Sequence, residues 1–421
     1  MKPETIRIID IWGGRIICFI LTCFRRLADL LRFRETTSQP VQKILFIKLI
    51  EQGATVLAYS AISRAVQMVG RENVYFCVFE ENSEVLDILD VLPQENVYAV
   101  RHKHFLIFLV DIIGILHKIR RIGIDAVVDM EFFARGSAIL AYLTGAKRRA
   151  GLHRYTSEAP YRGDLMTHRV QYNPYLHTSK TYNLLVEALK MEPEEIPLVK
   201  IPADQIAEVA PIFIRLHDET KYVENLLTQS LGQKIDGPII LLNPNASDML
   251  PLRKWPIENF IRLGRHILNT ISNAVIVITG APAEEEDAKN ICAKIGSPRV
   301  VSLAGMTSLR SLIVLYTVAD VLVTNDSGPA HFASMTDIDT VILYGPETPK
   351  LYGSLGNHFH SINAKLACSP CVNVFNHRFS PCSNNVCMQM ISVGEVFDKV
   401  QRCIQKRRHR HGEHNSTGQN K

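Results

Sequence analysis

From position 41 onward, short apolar runs rich in β-branched residues alternate with longer stretches whose apolar side chains recur at helical spacing. The runs over 44–49, 74–79 and 126–129 in the first half are predicted strands, as are those over 239–243, 274–279, 321–324 and 340–344 in the second. Nearly unbroken apolar strands separated by helical segments predict parallel sheets covered on both faces. A polar passage marked by Pro193, Pro197 and Pro202 separates the halves, followed by a helix-like stretch from about 204 to 231 and then Gly232 to Pro238. The predicted fold class is therefore α/β, with two doubly wound Rossmann-like domains facing a central cleft. They span 41–203 and 237–405, and a linker over 204–236 contains a helix. Sheets of this kind bind ligands at the carboxyl ends of their strands.

The two ends differ from this body. Residues 5–33 are apolar and basic, but their longest uncharged run, Ile16 to Phe24, is nine residues, and a membrane-spanning helix needs about 20. Arg25 and Arg26 follow the apolar stretch rather than precede it, and Ala28-Asp29-Leu30 is a poor cleavage site for a secretory signal. Two readings stay open for the segment 1–40: an amphipathic helix lying on an anionic membrane face, or an ordinary helix packed on the body. Arg15, Arg25, Arg26, Arg32 and Arg34 favour the membrane. The far end, 406–421, has no apolar face and is predicted to be a disordered basic tail.

Composition narrows the class. With 421 residues, 47% hydrophobic and 21% charged, the chain is neither fibrous nor mostly disordered. Lys plus Arg (47) exceeds Asp plus Glu (42) by five. That excess is too small to imply a nucleic-acid partner. Nine cysteines are too few for a disulfide scaffold, and their odd number points to a reducing, cytoplasmic location.

The chemistry-bearing motifs concentrate in the second half. The predicted strand at 239–243 runs into Asn243-Pro244-Asn245-Ala246-Ser247, then a loop with Arg253 and Lys254, and Pro256 opens a helix. Small and amide residues after a strand leave backbone N–H groups which, with Lys254, suit a phosphate oxygen; a surface turn with solvated cations would look the same. After the next strand, Gly280-Ala281 leads to Glu284, Glu285 and Glu286, which either favour a helix start or reach a ribose hydroxyl. The strand at 321–324 ends on Asp326-Ser327-Gly328, with His331 one turn into the following helix. Asp326 or Ser327 can cap that helix, and Gly328 lets a diphosphate approach its N–H groups and dipole. Gly345-Pro346-Glu347-Thr348 supplies another strand-end turn. In the first half, Glu51 sits in the loop after the first strand, where a carboxylate can act as general base toward a hydroxyl or stand solvated.

These blocks resemble glycosyltransferase family 9, the lipopolysaccharide heptosyltransferases of GT-B fold, over about residues 43–400. Asp326, Ser327, Gly328 and His331 match the family's D-[ST]-G-x-x-H run, and Tyr344-Gly345-Pro346-Glu347 its FGPT-like turn. Asn243 to Ser247 with Lys254, Trp255 and Pro256 match its N-P-[GN]-A-S…K-x-W-P block, and Leu303 to Leu309 its LAG-x-TSL stretch. The resemblance implies a nucleotide-diphospho-sugar donor, usually ADP-heptose. Lys254 would contact phosphate, Glu284 the ribose, and the run from Asp326 to His331 the diphosphate, with Asn245 and Ser247 beside it.

One position departs from the pattern: the aspartate of the family's S-x-G-D block aligns with Ala54, and the nearest carboxylate is Glu51. The expectation is that Glu51 has taken the role of base. The alternatives are different acceptor chemistry, another nucleotide sugar, or an inactive sugar-nucleotide-binding scaffold. Cys368, Cys371, Cys382 and Cys387 are spaced C-x2-C-x10-C-x4-C, which suits a structural zinc imperfectly and leaves unpaired thiols or a disulfide equally open. The sequence thus predicts an inverting, metal-independent transferase without cofactor. It would be peripheral to the inner membrane on its cytoplasmic side, with a lipid-linked saccharide as acceptor.

Overall fold

The computed structural model describes residues 3–31, 40–247, 250–376 and 378–417; Arg32 and Arg34 lie outside them. The chain forms two compact units. One comprises Met1–Val209 together with Asn373–Arg378, and the other Ala210–Val372 and Phe379–Lys421.

The first unit is built on six parallel strands: β1 (Ile44–Ile47), β2 (Val74–Phe79), β3 (Val97–Val100), β4 (Ala126–Asp129), β5 (Arg148–His153) and β6 (His168–Gln171), in the spatial order β3-β2-β1-β4-β5-β6. The second repeats the plan with β7 (Ile239–Asn243), β8 (Val275–Ile278), β9 (Val300–Ser302), β10 (Val321–Asn325), β11 (Asp339–Tyr344) and β12 (Phe359–Asn363), ordered β12-β11-β10-β7-β8-β9. Counted from its own first strand, each sheet has the order 3-2-1-4-5-6 of a dinucleotide-binding fold. Its switch point lies between the first and fourth strands, where crossovers leave in opposite directions and a crevice opens at the carboxyl edge. Residues after β1 and β4 line that crevice in the first unit, and residues after β7 and β10 line it in the second.

Burial explains which strands could be predicted. β1, β2, β4, β7, β8, β10 and β11 are buried along their whole lengths, because helices cover both faces of a parallel sheet. The strands not predicted lie toward sheet edges and carry polar residues: RRAGLH in β5, HRVQ in β6, VVS in β9 and FHSIN in β12. β3 is only partly buried.

Three boundaries differ from expectation. The stretch 204–236 is not one linker. Ala207 and Val209 bond the Ser60 hydroxyl in the first unit. The helix His217–Leu231 belongs to the second, where Glu219 pairs with Arg310. The N-terminal segment is part of the first unit, as the helix Pro3–Leu31. The basic stretch predicted as a disordered tail continues the helix Val393–Thr417, which Arg407 ties to Asp320 at 3.4 Å. No proline interrupts 393–417, so the helix runs past the apolar residues that anchor it, Val396, Phe397, Val400, Cys403 and Ile404.

Candidate functional site

In the first unit, the loop after β1 is shaped by a buried ion pair. Lys48, 1% exposed, donates to Ile50 O at 2.7 Å and to Glu131 Oε2 at 3.1 Å. The other oxygen of Glu131 accepts from the N–H groups of Leu49 and Ile50 at 2.7 and 3.2 Å. Glu131 follows β4, so these bonds span the switch point and leave Glu51 at its mouth. Glu51 adopts φ 70° and ψ 88°, a left-handed conformation that costs a non-glycine residue on the order of 1–3 kcal/mol and concentrates at functional sites. Its carbonyl accepts from Ala54 N and Thr55 N at 3.0 and 3.2 Å. Its carboxylate pairs with Arg378 and stands 3.9 Å from Lys48 Nζ. The predicted base is therefore no solvated loop acid but part of a Lys48–Glu51–Arg378 cluster. Arg378 lies 327 residues away in sequence, and nothing in the local pattern marked it. Glu131 was missed for the same reason, and Lys48 because its burial depends on that distant carboxylate.

In the second unit, the Asn325 side chain, 0% exposed, ties three loops at the carboxyl edge. Its Nδ2 donates to Pro244 O at 2.9 Å and Asn245 O at 3.2 Å, and its Oδ1 accepts from Trp255 N at 3.0 Å. Asn243 is held by Thr279, 3.1 Å to the hydroxyl. Trp255 is fully buried, donates to Ile391 O at 3.0 Å and meets Phe260 edge-on, which anchors the loop carrying Lys254. Asn385 braces the same loop from outside by bonding Leu252 O and Lys254 O. These contacts place Asn245 and, through Trp255, Lys254 beside the turn that follows β10.

Asn245 and Glu284 converge at Gly280. A Cβ at position 280 would lie 3.0 Å from both Asn245 Nδ2 and Glu284 Oε2, so any side chain here would crowd the two groups. Among the described residues the buried Asn245 Nδ2 has no hydrogen-bond partner, an unsatisfied donor of the kind that a native interior rarely carries. Glu284 also closes its own turn by accepting from Ala281 N at 2.6 Å, so the helix-start role anticipated for the acidic cluster is present.

The turn after β10 corrects the expected capping. Ser327 is the N-cap of the helix Gly328–Ala333 but makes no side-chain cap bond; its hydroxyl donates to Asn325 O at 3.2 Å. The helix is six residues long, too short for the dipole anticipated here, and offers only its first N–H groups, which lack intrahelical acceptors. Asp326 is 3% exposed and shares a buried polar cluster with Tyr344, Arg253 and Glu347, the last two 3.3 Å apart. Burial, and then the charges of Asp326 and Glu347, push the Tyr344 hydroxyl well above its ordinary pKa, so it stays a protonated donor. His331 is mostly buried with Nδ1 3.5 Å from Ser354 Oγ.

All nine cysteines are free thiols. Burial, and then the neighbouring Cys371, Cys382 and Cys368, raise the pKa of Cys387, which places the four thiols in one region of the second unit. Among the described residues, however, the three metal-ligating groups whose donor atoms lie within 4.8 Å of one another are Asp339, His360 and Cys403. Asp339 begins β11, so that group sits at the opposite edge of the sheet from the turns above.

Over 129 residues the chain is 29% identical to lipopolysaccharide heptosyltransferase 2 of Salmonella typhimurium, covering 30% of this chain and 36% of that protein. Over 183 residues it is 27% identical to lipooligosaccharide heptosyltransferase 2 of Campylobacter jejuni, covering 42% and 54%. The chain thus aligns with about half or less of the length of these relatives. In fold it superposes on the structure of E. coli ADP-heptose lipopolysaccharide heptosyltransferase II with a TM-score of 0.66 at 17% identity, over 87% of this chain and 100% of the other. The twin switch-point sheets agree with that architecture, and the model of one family matches residues 113–378, so the chain belongs to glycosyltransferase family 9, the heptosyltransferase family.

Proposed function

We propose that the protein is an inverting glycosyltransferase that moves a heptose-like sugar from a nucleoside diphosphate, ADP-heptose first among candidates, to a lipid-linked saccharide such as a lipopolysaccharide core. The observation that carries the reading is the convergence of Asn245 and Glu284 at Gly280 on the strand edge whose neighbouring turn, through Asn325 and Trp255, also holds the Lys254 loop, with the Asn245 amide donor buried and without a partner among the described residues. In this reading Glu284 accepts from the ribose hydroxyls. Lys254, Ser247 and the N–H groups at Ser327–Gly328 hold the diphosphate, with Asp326 and His331 shaping that cradle.

The acceptor hydroxyl attacks the anomeric carbon from the face opposite the diphosphate. The new C–O bond forms as the C–O bond to phosphate breaks, which inverts the configuration. The proton passes to Glu51, and the nucleoside diphosphate leaves with its charge held by Lys254 and backbone N–H groups, a task that these donors fill without a metal ion or cofactor. Arg378 and Lys48 orient the Glu51 carboxylate. The basic N-terminal helix keeps the enzyme at the anionic inner-leaflet surface where a lipid-linked acceptor resides. No nucleic-acid partner is proposed.

The test is calorimetric titration with ADP, UDP and GDP, repeated on Lys254→Ala, followed by turnover of Glu51→Gln. Selective ADP binding that Lys254→Ala weakens at least about tenfold, with turnover lost by about 100-fold or more in Glu51→Gln while ADP still binds, supports the reading. ADP binding with no turnover in the unaltered protein would favour the scaffold reading, which the Ala54 departure motivates. No nucleotide binding would refute both.

A further inference from the structure

The N-terminal helix is mounted inside out. Asp10, Gly14, Cys18, Thr22 and Arg25 recur at helical spacing on one face, and that polar or small face docks on the first unit. The Asp10 carboxylate accepts from Arg135 N and Gly136 N at 2.9 and 2.8 Å and pairs with the Arg135 guanidinium. Gly14 brings the helix backbone against the Arg135 side chain. Cys18 is fully buried, Thr22 Oγ1 accepts from Asp164 N at 2.9 Å, and Arg25 pairs with Asp164. The opposite face presents Ile9, Trp12, Ile16, Phe19, Phe24 and Leu30 to the surroundings, with Trp12 67% and Leu30 83% exposed. An amphipathic helix designed for water is fixed by its apolar face; this one is fixed by hydrogen bonds and ion pairs and leaves the apolar face outward.

A second helix also turns an apolar stripe outward, although it is held by apolar packing. Phe105–Ile122 buries Ile119 and packs the half-buried Phe108, Ile112, Ile115 and Leu116 against the same core layer that receives Cys18 and Leu21 of the first helix. Both helices therefore cover one face of the first sheet. Its outward stripe is Leu106, Leu109, Val110 and Ile113, exposed by 38–74%, and Arg101-His102-Lys103-His104 precedes it. On the first helix Arg7, Arg15 and Arg26 are likewise exposed, and the Arg15 guanidinium lies over the Trp12 ring at 5.7 Å. Apolar stripes edged by cations and an exposed tryptophan match the chemistry of an interface between acyl chains and anionic headgroups. Neither helix is long and apolar enough to cross a membrane.

We propose that these two helices form one platform that inserts its apolar stripes into an anionic phospholipid leaflet, so that the first unit contacts lipid at two separate elements and not through its N-terminus alone. This deepens the membrane-linked acceptor reading above and rests on it for its biological sense. Its physical basis is the pair of outward apolar stripes edged by cations.

The full chain is mixed with vesicles of equimolar phosphatidylglycerol and phosphatidylcholine, and with vesicles of phosphatidylcholine alone. Its two tryptophans differ sharply, Trp12 exposed and Trp255 fully buried, so a blue shift on binding reports insertion of Trp12. The expected result is co-sedimentation with the anionic vesicles and a blue shift, both weakened at least about tenfold by Leu106→Glu/Val110→Glu, which touches no core residue. Unchanged partitioning of that variant would overturn the two-helix platform, as would absence of binding to either vesicle. A vesicle-indifferent dimer in sedimentation would assign the apolar faces to a second copy and overturn it too. ADP titration of the unaltered protein, run beside its vesicle assay, separates the readings. Intact ADP binding with failed vesicle binding sinks the platform alone, and vesicle binding with no ADP binding sinks the transferase reading alone.

Discussion

Asn325→Asp is the sharpest probe of how the second unit holds its candidate donor site. The substitution is isosteric and keeps an oxygen to accept from Trp255 N. It removes both N–H donors to Pro244 O and Asn245 O and sets a carboxylate oxygen against two carbonyl oxygens at a position with no solvent exposure. Leaving a buried acceptor unsatisfied costs about 1–3 kcal/mol, so two amount to roughly 2–6 kcal/mol, and burying the new charge adds to that. We expect a loss of about 4 kcal/mol. In a unit of this size that corresponds to a fall in Tm of roughly 8–16 °C. Calorimetric scanning measures the shift, and urea unfolding checks that the m-value is unchanged. Because the clamped loops carry Asn245, Ser247 and Lys254, affinity for ADP should fall in parallel by at least about tenfold, beyond what a distant destabilising change would produce. A loss below about 1 kcal/mol would show that the loops hold their positions without Asn325 and would refute its role as a clamp.

Two further predictions concern the first unit. Arg162 and Asp129 form a fully buried ion pair with Ser137 as a further donor to Asp129; Arg162→Met should cost about 3–5 kcal/mol in urea unfolding, and adding Asp129→Leu should recover most of the loss, because the penalty is the unpaired buried charge. Burial, and then Arg148, lower the pKa of His168 from 6.5 to about 4. The unfolded chain therefore binds the extra proton first on acidification, and stability falls as pH drops from about 6.5 toward 4. Between near-neutral pH and about pH 5 this residue should account for a loss of about 2 kcal/mol, which His168→Gln should abolish in a stability–pH profile; an unchanged profile would show that His168 does not titrate as described.

How much of this was legible in the sequence follows from range. Strands buried on both faces announce themselves as apolar runs, so seven of the twelve could be placed, and with them the alternating α/β plan and the division into halves. The motif turns after β7, β8 and β10 were also legible, since each is a contiguous run of small, amide and charged residues whose chemistry depends on near neighbours. Edge strands such as His168–Gln171 were not, because their polar residues face solvent at one side and erase the pattern.

What tertiary structure alone decided are the partnerships between distant positions. The sequence determined that Glu51 follows the first strand three residues after Lys48; only the fold gives it Arg378 as a partner and a left-handed backbone. The sequence showed Asn325 at a strand end; only the fold makes it the clamp of two other loops. It gave an amphipathic helix at 5–33, whereas which face turns inward depended on Arg135 and Asp164, more than a hundred residues away. Local periodicity records what a segment can bury. Which surface meets it is set by chain segments that the local pattern does not contain.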